Sequence, residues 1–331
     1  MSEDNDAGET IATRELSMLV LNTYLLRLLP FAEHSKLRIS GAPYPTHRAQ
    51  ELSEVLASYD VAALSEVFNA RDVQTLCQAD PHFRTRRGAC SGPPAGAGRF
   101  TSSGLITLSK RPVVRTATHR FMNRGSILHD PDAYAAKGVA LTEINLGADR
   151  NLEVFSTHLI AGNDLIPRQT VLRNPDHLSE VRLAQMREVL LFVDEYHRPN
   201  NATLVVGDFN IEADSLDGKT LAVAMGESGF EDLWDSDARG VGPTVHLEER
   251  PEFFITDPGD ERFFADLVDP GPVFDAPPPR IDFAFWRSGG PGITVEGVRR
   301  RALPRAGDAD GRDVIGWMSD HAGLHLDLSV N

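Results

Sequence analysis

Val205 to Asn210, VVGDFN, is an apolar run that stops at a glycine and then sets down an aspartate, a phenylalanine and an asparagine. With the preceding ATL it reads as a strand built for a dry core. Its end nevertheless carries side chains suited to metal, phosphate or a proton. GDFN alone fits an ordinary turn, but the pattern recurs. Asn22 follows MLVL, Glu66 follows VAALS, His158 follows EVFST, and Asp282 and the Asp320–His321 pair sit beside strand-like runs. Strand ends of a layered α/β fold gather at one rim of the sheet, where ligands and catalytic groups collect. Each residue has a plainer reading: a turn for Asn22, a surface charge for Glu66, a satisfied core histidine for His158. Repetition of the same pattern along the chain is what those readings leave unexplained.

The segments around these residues alternate in type. LSMLVLNTYLL reads as a buried strand ending at Asn22, THRAQELSEVLASYD as a helix capped by Thr46, VAALSEVF as a strand ending at Glu66, and Asn69 as the cap of another helix. Gly88 to Gly104, rich in Gly, Pro and Ser, reads as a loop. GLITLS, PVVRTATHRF, GVALTEINL and NLEVFSTHL follow as strands, the last two joined by the hairpin-like turn GADR. Met186, Val189, Leu190 and Val193 recur at helical spacing in SEVRLAQMREVLLFVDEY. Ser236 to Pro279, dense in Pro, Gly and Asp, is a long excursion carrying Phe253, Phe254, Phe263 and Phe264, from which RIDFAFW returns to the sheet. SDHAGLHLDLSV ends the chain as a strand.

The chain has 331 residues, 41% hydrophobic and 24% charged, which fits one large or two smaller globular domains. Leu16 to Leu29 is broken by Asn22, Thr23 and Arg27, so no integral membrane segment is expected. MSEDNDAGETIATRE (residues 1–15) lacks the basic-then-apolar pattern of a secretory signal. It reads as a disordered tail on a cytoplasmic chain, with export by another route left open. Cys77 and Cys90 are too few for a disulfide framework and fit no zinc spacing. The net charge of −15 disfavours extended nucleic acid as a partner, although a bound divalent cation reverses the local field. Carboxylates and amide oxygens suit Mg²⁺, with Mn²⁺ or Co²⁺ as substitutes; the histidines lack zinc-site spacing. No Gly-x-Ser-x-Gly supports a serine hydrolase.

LNTYLL, SEVF, STHL, GDFN, RIDF and SDH, in this order across almost the whole chain, resemble the endonuclease/exonuclease/phosphatase superfamily of metal-dependent phosphoesterases. The resemblance implies a DNase I-like α/β fold: a four-layered α/β/β/α sandwich of two mixed β-sheets flanked by helices, with residues 16–331 as the catalytic domain. It implies Glu66 as the principal metal ligand with Asn22 beside it, and His321 as general base with Asp320 orienting it. Asp208 and Asn210 would sit on the phosphate, and His158 would stabilise the pentacovalent oxygens with Asp282 behind it. Within the superfamily the sequence is similar to bacterial-type neutral sphingomyelinases. LNTYLL, DAYAAKG (Asp132 to Gly138) and VRLAQMREVLLFV, with Arg182 and Gln185, carry that likeness. It implies a substrate-binding loop pair, Asp132 and Lys137, and a phospholipid substrate cleaved in the phospholipase C manner, releasing phosphocholine. A DNase-like nuclease is the competing reading. A binding module that merely keeps the fold would need a site residue to be missing, and none is. RRRALPRAGDADGRDVIGWM, which stands where secreted relatives carry an aromatic membrane hairpin, is mostly polar with Trp317 its sole aromatic. Peripheral membrane contact through it would be shallow.

Overall fold

The computed structural model describes residues 14–26, 45–85, 88–96, 98–127, 130–147, 150–161, 177–236, 242–245, 279–289, 292–308 and 313–331. The first half contains β1 (Arg14–Asn22), α1 (Pro45–Leu56), β2 (Val61–Ser65), α2 (Ala70–Leu76), β3 (Ala89–Ser91), β4 (Ile106–Ser109), β5 (Val113–Arg120), β6 (Gly138–Gly147) and β7 (Arg150–His158). The second contains α3 (His177–Tyr196), β8 (Ala202–Asp208), α4 (Leu216–Glu227), β9 (Glu231–Asp232), α5 (Leu233–Ser236), β10 (Asp282–Arg287), β11 (Ile293–Arg301), β12 (Pro304–Asp308), β13 (Asp313–Trp317) and β14 (Gly323–Val330). One sheet has the order β11-β14-β1-β2-β4-β3, the other β5-β6-β7-β8-β10-β9, and β12 pairs with β13 alone. Both sheets are mixed, with β1–β2 and β7–β8 parallel among antiparallel neighbours.

Residue parity builds the layers, because successive strand side chains point to opposite faces. Met18 and Val20 of β1, Leu152 and Val154 of β7, Leu204 and Val206 of β8, and Leu324 and Leu326 of β14 share one core between the sheets. The intervening residues face outward. Leu19 and Leu21 join Leu52 and Leu56 of α1 and Leu76 of α2 in a second core. Phe155, Val205, Phe283 and Phe285 pack with Val189 and Phe192 of α3 and Leu221 of α4 in a third. Helix, sheet, sheet and helix thus stack as the sequence implied. Among the described residues no helix is long and apolar enough to cross a membrane.

Some local expectations shift. Thr46 lies inside α1, which already begins at Pro45, a residue whose fixed φ suits the first helical turn. The Gly88–Gly104 loop contains β3, paired with β4 at the sheet edge. Helix α4 was not anticipated; Gly218 and Gly226 dilute its apolar pattern, while the Ser215 hydroxyl caps it by accepting from Gly218 N at 3.0 Å. Asn69 does cap α2, its side chain accepting from Arg71 N at 2.8 Å. β1 starts at Arg14, within the expected tail, whose residues 1–13 lie outside the described residues, as do residues 246–278 with Phe253, Phe254, Phe263 and Phe264. Cys77 and Cys90 are free, and burial pushes both thiols up, away from reactivity.

Candidate active site

The parity that fills the core also delivers the polar residues. Asn22 is in phase with Met18 and Val20, His158 with Leu152 and Val154, Asp208 with Leu204 and Val206, and Asp282 with Ala284 and Trp286. Each therefore enters the space between the sheets at the end where its strand stops or starts. Register completes the juxtaposition, since His158 and Asp208 are partners on β7 and β8, and Asp282 and Asp208 are partners on β10 and β8.

Glycine is required at position 207 for this reason. Its φ is +137°, and a Cβ there would stand 2.0 Å from the Thr157 carbonyl oxygen. Close approach of the two backbones brings the ends of β7 and β8 together. Gly207→Ala is expected to destabilise the fold by more than about 2 kcal/mol, read as a lower midpoint of urea unfolding.

Glu66 is out of phase with Val61 and Ala63 and by alternation would face the outer helices. A left-handed backbone, φ +61°, turns it back instead. Among the described residues the non-glycine positions with positive φ are Tyr24, Glu66 and Asn210, all beside site residues. Such strain persists only where the surroundings enforce it. Here Arg48, fully buried, donates from Nη1 to Thr23 O and Met318 O (3.0 and 2.8 Å) and from Nη2 to Tyr24 O, tying the end of β1 to the loop before β14.

The side chains interlock. Asn22 Nδ2 donates to Asp208 Oδ2 at 2.9 Å and Glu66 Oε1 at 3.2 Å. His321 Nδ1 donates to Asp282 Oδ2 at 2.8 Å, leaving Nε2 3.9 Å from Asp208 Oδ2 and 4.0 Å from Asp320 Oδ1. Asn210 donates its backbone N–H to Asp208 Oδ1 at 2.8 Å and its amide to Leu159 O at 3.0 Å. Lys137, buried, donates from Nζ to His158 Nε2 at 3.0 Å and to Leu159 O at 2.7 Å, and pairs with Asp132 at 2.7 Å. Asp132 in turn accepts from Ala161 N at 2.7 Å, and Gln185 of α3 accepts from the neighbouring Ile160 N at 2.9 Å. Every residue singled out from the sequence for the site is therefore brought into one connected cluster.

Two of the expected couplings are rearranged. Asp282, not Asp320, holds Nδ1 of His321, and among the described residues Asp282 forms no hydrogen bond or ion pair with His158. Strand register delivers Asp282 to Nδ1 of the imidazole, while the adjacent Asp320 stands 4.0 Å from Nε2. Burial first, and then the Lys137 ammonium, drive the His158 pKa down to about 3, so this imidazole is neutral and the cation in its corner is Lys137. Because Lys137 donates to Nε2, the His158 proton is assigned to Nδ1.

The sequence reading also missed supporting residues. Thr244 Oγ1 accepts from Ile281 N and Asp282 N (3.0 and 3.2 Å), and Val245 bridges His321. Ser319 Oγ donates to Asn22 O and accepts from His321 N. Thr244 carries no pattern that marks it, and Ser319, though it opens the SDH motif, has no role of its own in the sequence reading.

The acids set the electrostatics. Burial, and after it the Asp320 carboxylate, push the Glu66 pKa up to about 7 against the pull of Lys137, Asn22 and His321. Burial opposes charge on His321 too, but Asp282 first, then Asp320 and Asp208, outweigh it and hold that imidazole well above its ordinary range. Glu66 Oε2 and Asp282 Oδ1 are buried without a hydrogen-bond partner among the described residues, a costly condition for a carboxylate. Asp208, Asp282 and His321 present ligating atoms within 4.8 Å of one another. Nδ1 of that histidine is already given to Asp282, so the unmet oxygen of Glu66 marks the better seat for a cation, with Asn22 and Asp320 beside it. This oxygen-rich donor set fits a divalent metal ion.

Comparison with known proteins agrees with this fold. The chain is 27% identical over 237 residues to an inositol phosphosphingolipids phospholipase C of Saccharomyces cerevisiae, covering 66% of this chain and 46% of that protein. It spans less than half the length of the curated relatives it matches. The solved structure of sphingomyelinase C from Streptomyces griseocarneus shares the fold, with a TM-score of 0.63 at 19% identity, over 96% of this chain and all of that one. So does a variant of beta toxin from Staphylococcus aureus with bound magnesium ions, with a TM-score of 0.64 at 16% identity over 95% and 99% of the two chains. The family model described as the Endonuclease/Exonuclease/phosphatase family matches residues 37–321, and the chain belongs to that family.

Proposed function

We propose that the chain is a divalent-metal-dependent phosphodiesterase that hydrolyses sphingomyelin or a related phospholipid in the phospholipase C manner. The observation that carries the hydrolytic half is His321, gripped through Nδ1 by Asp282 while Nε2 faces Asp208 and Asp320 next to the unmet oxygen of Glu66. In this reading Glu66 would hold Mg²⁺, with Asn22 and Asp320 adjoining and Mn²⁺ or Co²⁺ as substitutes. The bound cation supplies positive charge against the phosphoryl oxygens. The carboxylates that raise the His321 pKa in the metal-free site are the groups a cation would neutralise, which would draw that pKa back down. The imidazole then accepts the proton of the attacking water at Nε2, with Asp282 fixing the tautomer. The second amide proton of Asn210 is available to a phosphate oxygen, while Lys137, its three N–H groups given to His158, Leu159 O and Asp132, adds fixed positive charge behind it.

The names of the relatives support the phospholipid half, together with the Asp132–Lys137 pair set beside His158. Purified protein with Mg²⁺, given sphingomyelin, phosphatidylcholine and plasmid DNA side by side with EDTA controls, is expected to release phosphocholine from sphingomyelin and to stop when EDTA is added. DNA nicking without a lipid product would replace this reading with the nuclease one. Asp282→Asn, which keeps the side-chain shape but lets the amide donate toward Nδ1, is expected to lower kcat by about 10² to 10⁴ with little change in KM, as steady-state kinetics would show.

A further inference from the structure

Beside the site, apolar side chains are held out into solvent by a rigid frame. Phe100 is 78% exposed, Met122 81% and Ile127 44%. The buried guanidinium of Arg99 joins the segments that carry them, donating to Ala133 O at 2.7 Å and Phe121 O at 3.1 Å. Phe100 stacks on Tyr134 with ring centroids 5.4 Å apart, and the Tyr134 hydroxyl donates to Ile127 O at 2.5 Å. Met122 is fixed from behind. Glu188 of α3 accepts from Met122 N at 2.8 Å and from Asn123 N at 3.0 Å, and Gln185 donates to Asn123 O at 2.7 Å. Exposed apolar groups clustered on a braced backbone mark a contact surface more than random exposure does.

Two further features say what the contact is. Arg120 and Arg124 flank the patch, near enough to Arg99 for their charge to act on it, and these three guanidinium groups outnumber the Glu188 carboxylate that acts on the same corner, on a chain of net charge −15. The patch is also continuous with the candidate active site. The turn Pro131–Tyr134 turns one residue to each: Tyr134 stacks under Phe100, while Asp132 pairs with Lys137, which contacts His158. We propose that Phe100, Met122 and Ile127, with Arg120 and Arg124, rest on the surface of an anionic phospholipid bilayer and bring the site's mouth to its substrate. Apolar groups enter the headgroup boundary while guanidinium groups meet lipid phosphates. This inference rests on the phospholipid reading above.

The test is co-sedimentation of the full chain with vesicles of phosphatidylcholine alone or mixed with phosphatidylserine. Wild type is expected to bind the mixed vesicles more tightly. Phe100→Ser with Met122→Ser is expected to weaken that binding at least about tenfold while leaving hydrolysis of the water-soluble bis(p-nitrophenyl) phosphate within about twofold. Arg120→Gln with Arg124→Gln is expected to remove the preference for phosphatidylserine. Equal vesicle affinity of wild type and the Phe100/Met122 variant, or no binding by wild type, overturns the proposal. So does a dimer in sedimentation velocity that the same variant dissociates, since a second copy would then cover the patch. Loss of vesicle binding in the variant of a protein that cleaves no phosphodiester would leave the surface standing and sink the proposed activity instead.

Discussion

His321→Gln is expected to lower kcat by about 10² to 10⁴ while far-UV circular dichroism and KM stay close to wild type. Glutamine can still donate to Asp282, so the hydrogen bond seen at 2.8 Å and the packing around it survive. What disappears is a nitrogen lone pair at Nε2 able to take a proton, because an amide is not a base near neutral pH. The loss should fall on kcat, since the imidazole acts on the attacking water and not on the resting phosphodiester. A variant turning over at the wild-type rate would remove His321 from the mechanism. A variant with raised KM and unchanged kcat would make it a binding residue.

Glu66→Gln has the second large expected effect, and it has opposite signs on activity and stability. In the metal-free protein the Glu66 carboxyl has its pKa raised from the ordinary 4.5 to about 7. Both folded and unfolded chains hold this proton below about pH 4.5, so it costs nothing there. Between about 4.5 and 7 the unfolded chain ionises first, and the folded state loses stability as pH rises. Above about pH 7 the penalty is complete, about 3 kcal/mol at most. The neutral amide escapes it. Metal-free Glu66→Gln should thus melt several degrees above metal-free wild type at pH 8 and alongside it at pH 4.5, while turnover falls and recovers in part with excess Mg²⁺. Added Mg²⁺ should raise the wild-type melting temperature more at pH 8 than at pH 5 and shift the variant little. Equal thermal response of both proteins to Mg²⁺ would mean that the cation sits elsewhere.

Much of this was legible because strand parity writes itself into the sequence. MLVLN and LVVGD each alternate between two apolar layers and end in phase with the inner one, so Asn22 and Asp208 announce their own placement. The capping Asn69 was readable for a similarly local reason. Relations that depend on pairing between distant strands were not. Asp320 stands next to His321 in the chain, yet the residue that holds the imidazole is Asp282, placed by the β8–β10 register. Glu66 reaches the site through a left-handed backbone that no propensity signals for glutamate. The neutrality of His158 comes from Lys137 and burial together, which spacing along the sequence does not encode.

The pairing of β1 with β14, from Arg14↔Val330 to Val20↔Leu324, has a consequence for folding. Asn22 and His321 lie far apart along the sequence, and β14, seated between β11 and β1, must pair with both before the two residues meet. Such non-local closure is slow and comes late. The candidate site is therefore expected to assemble only once β14 has paired, so that its residues come together in one late step of folding.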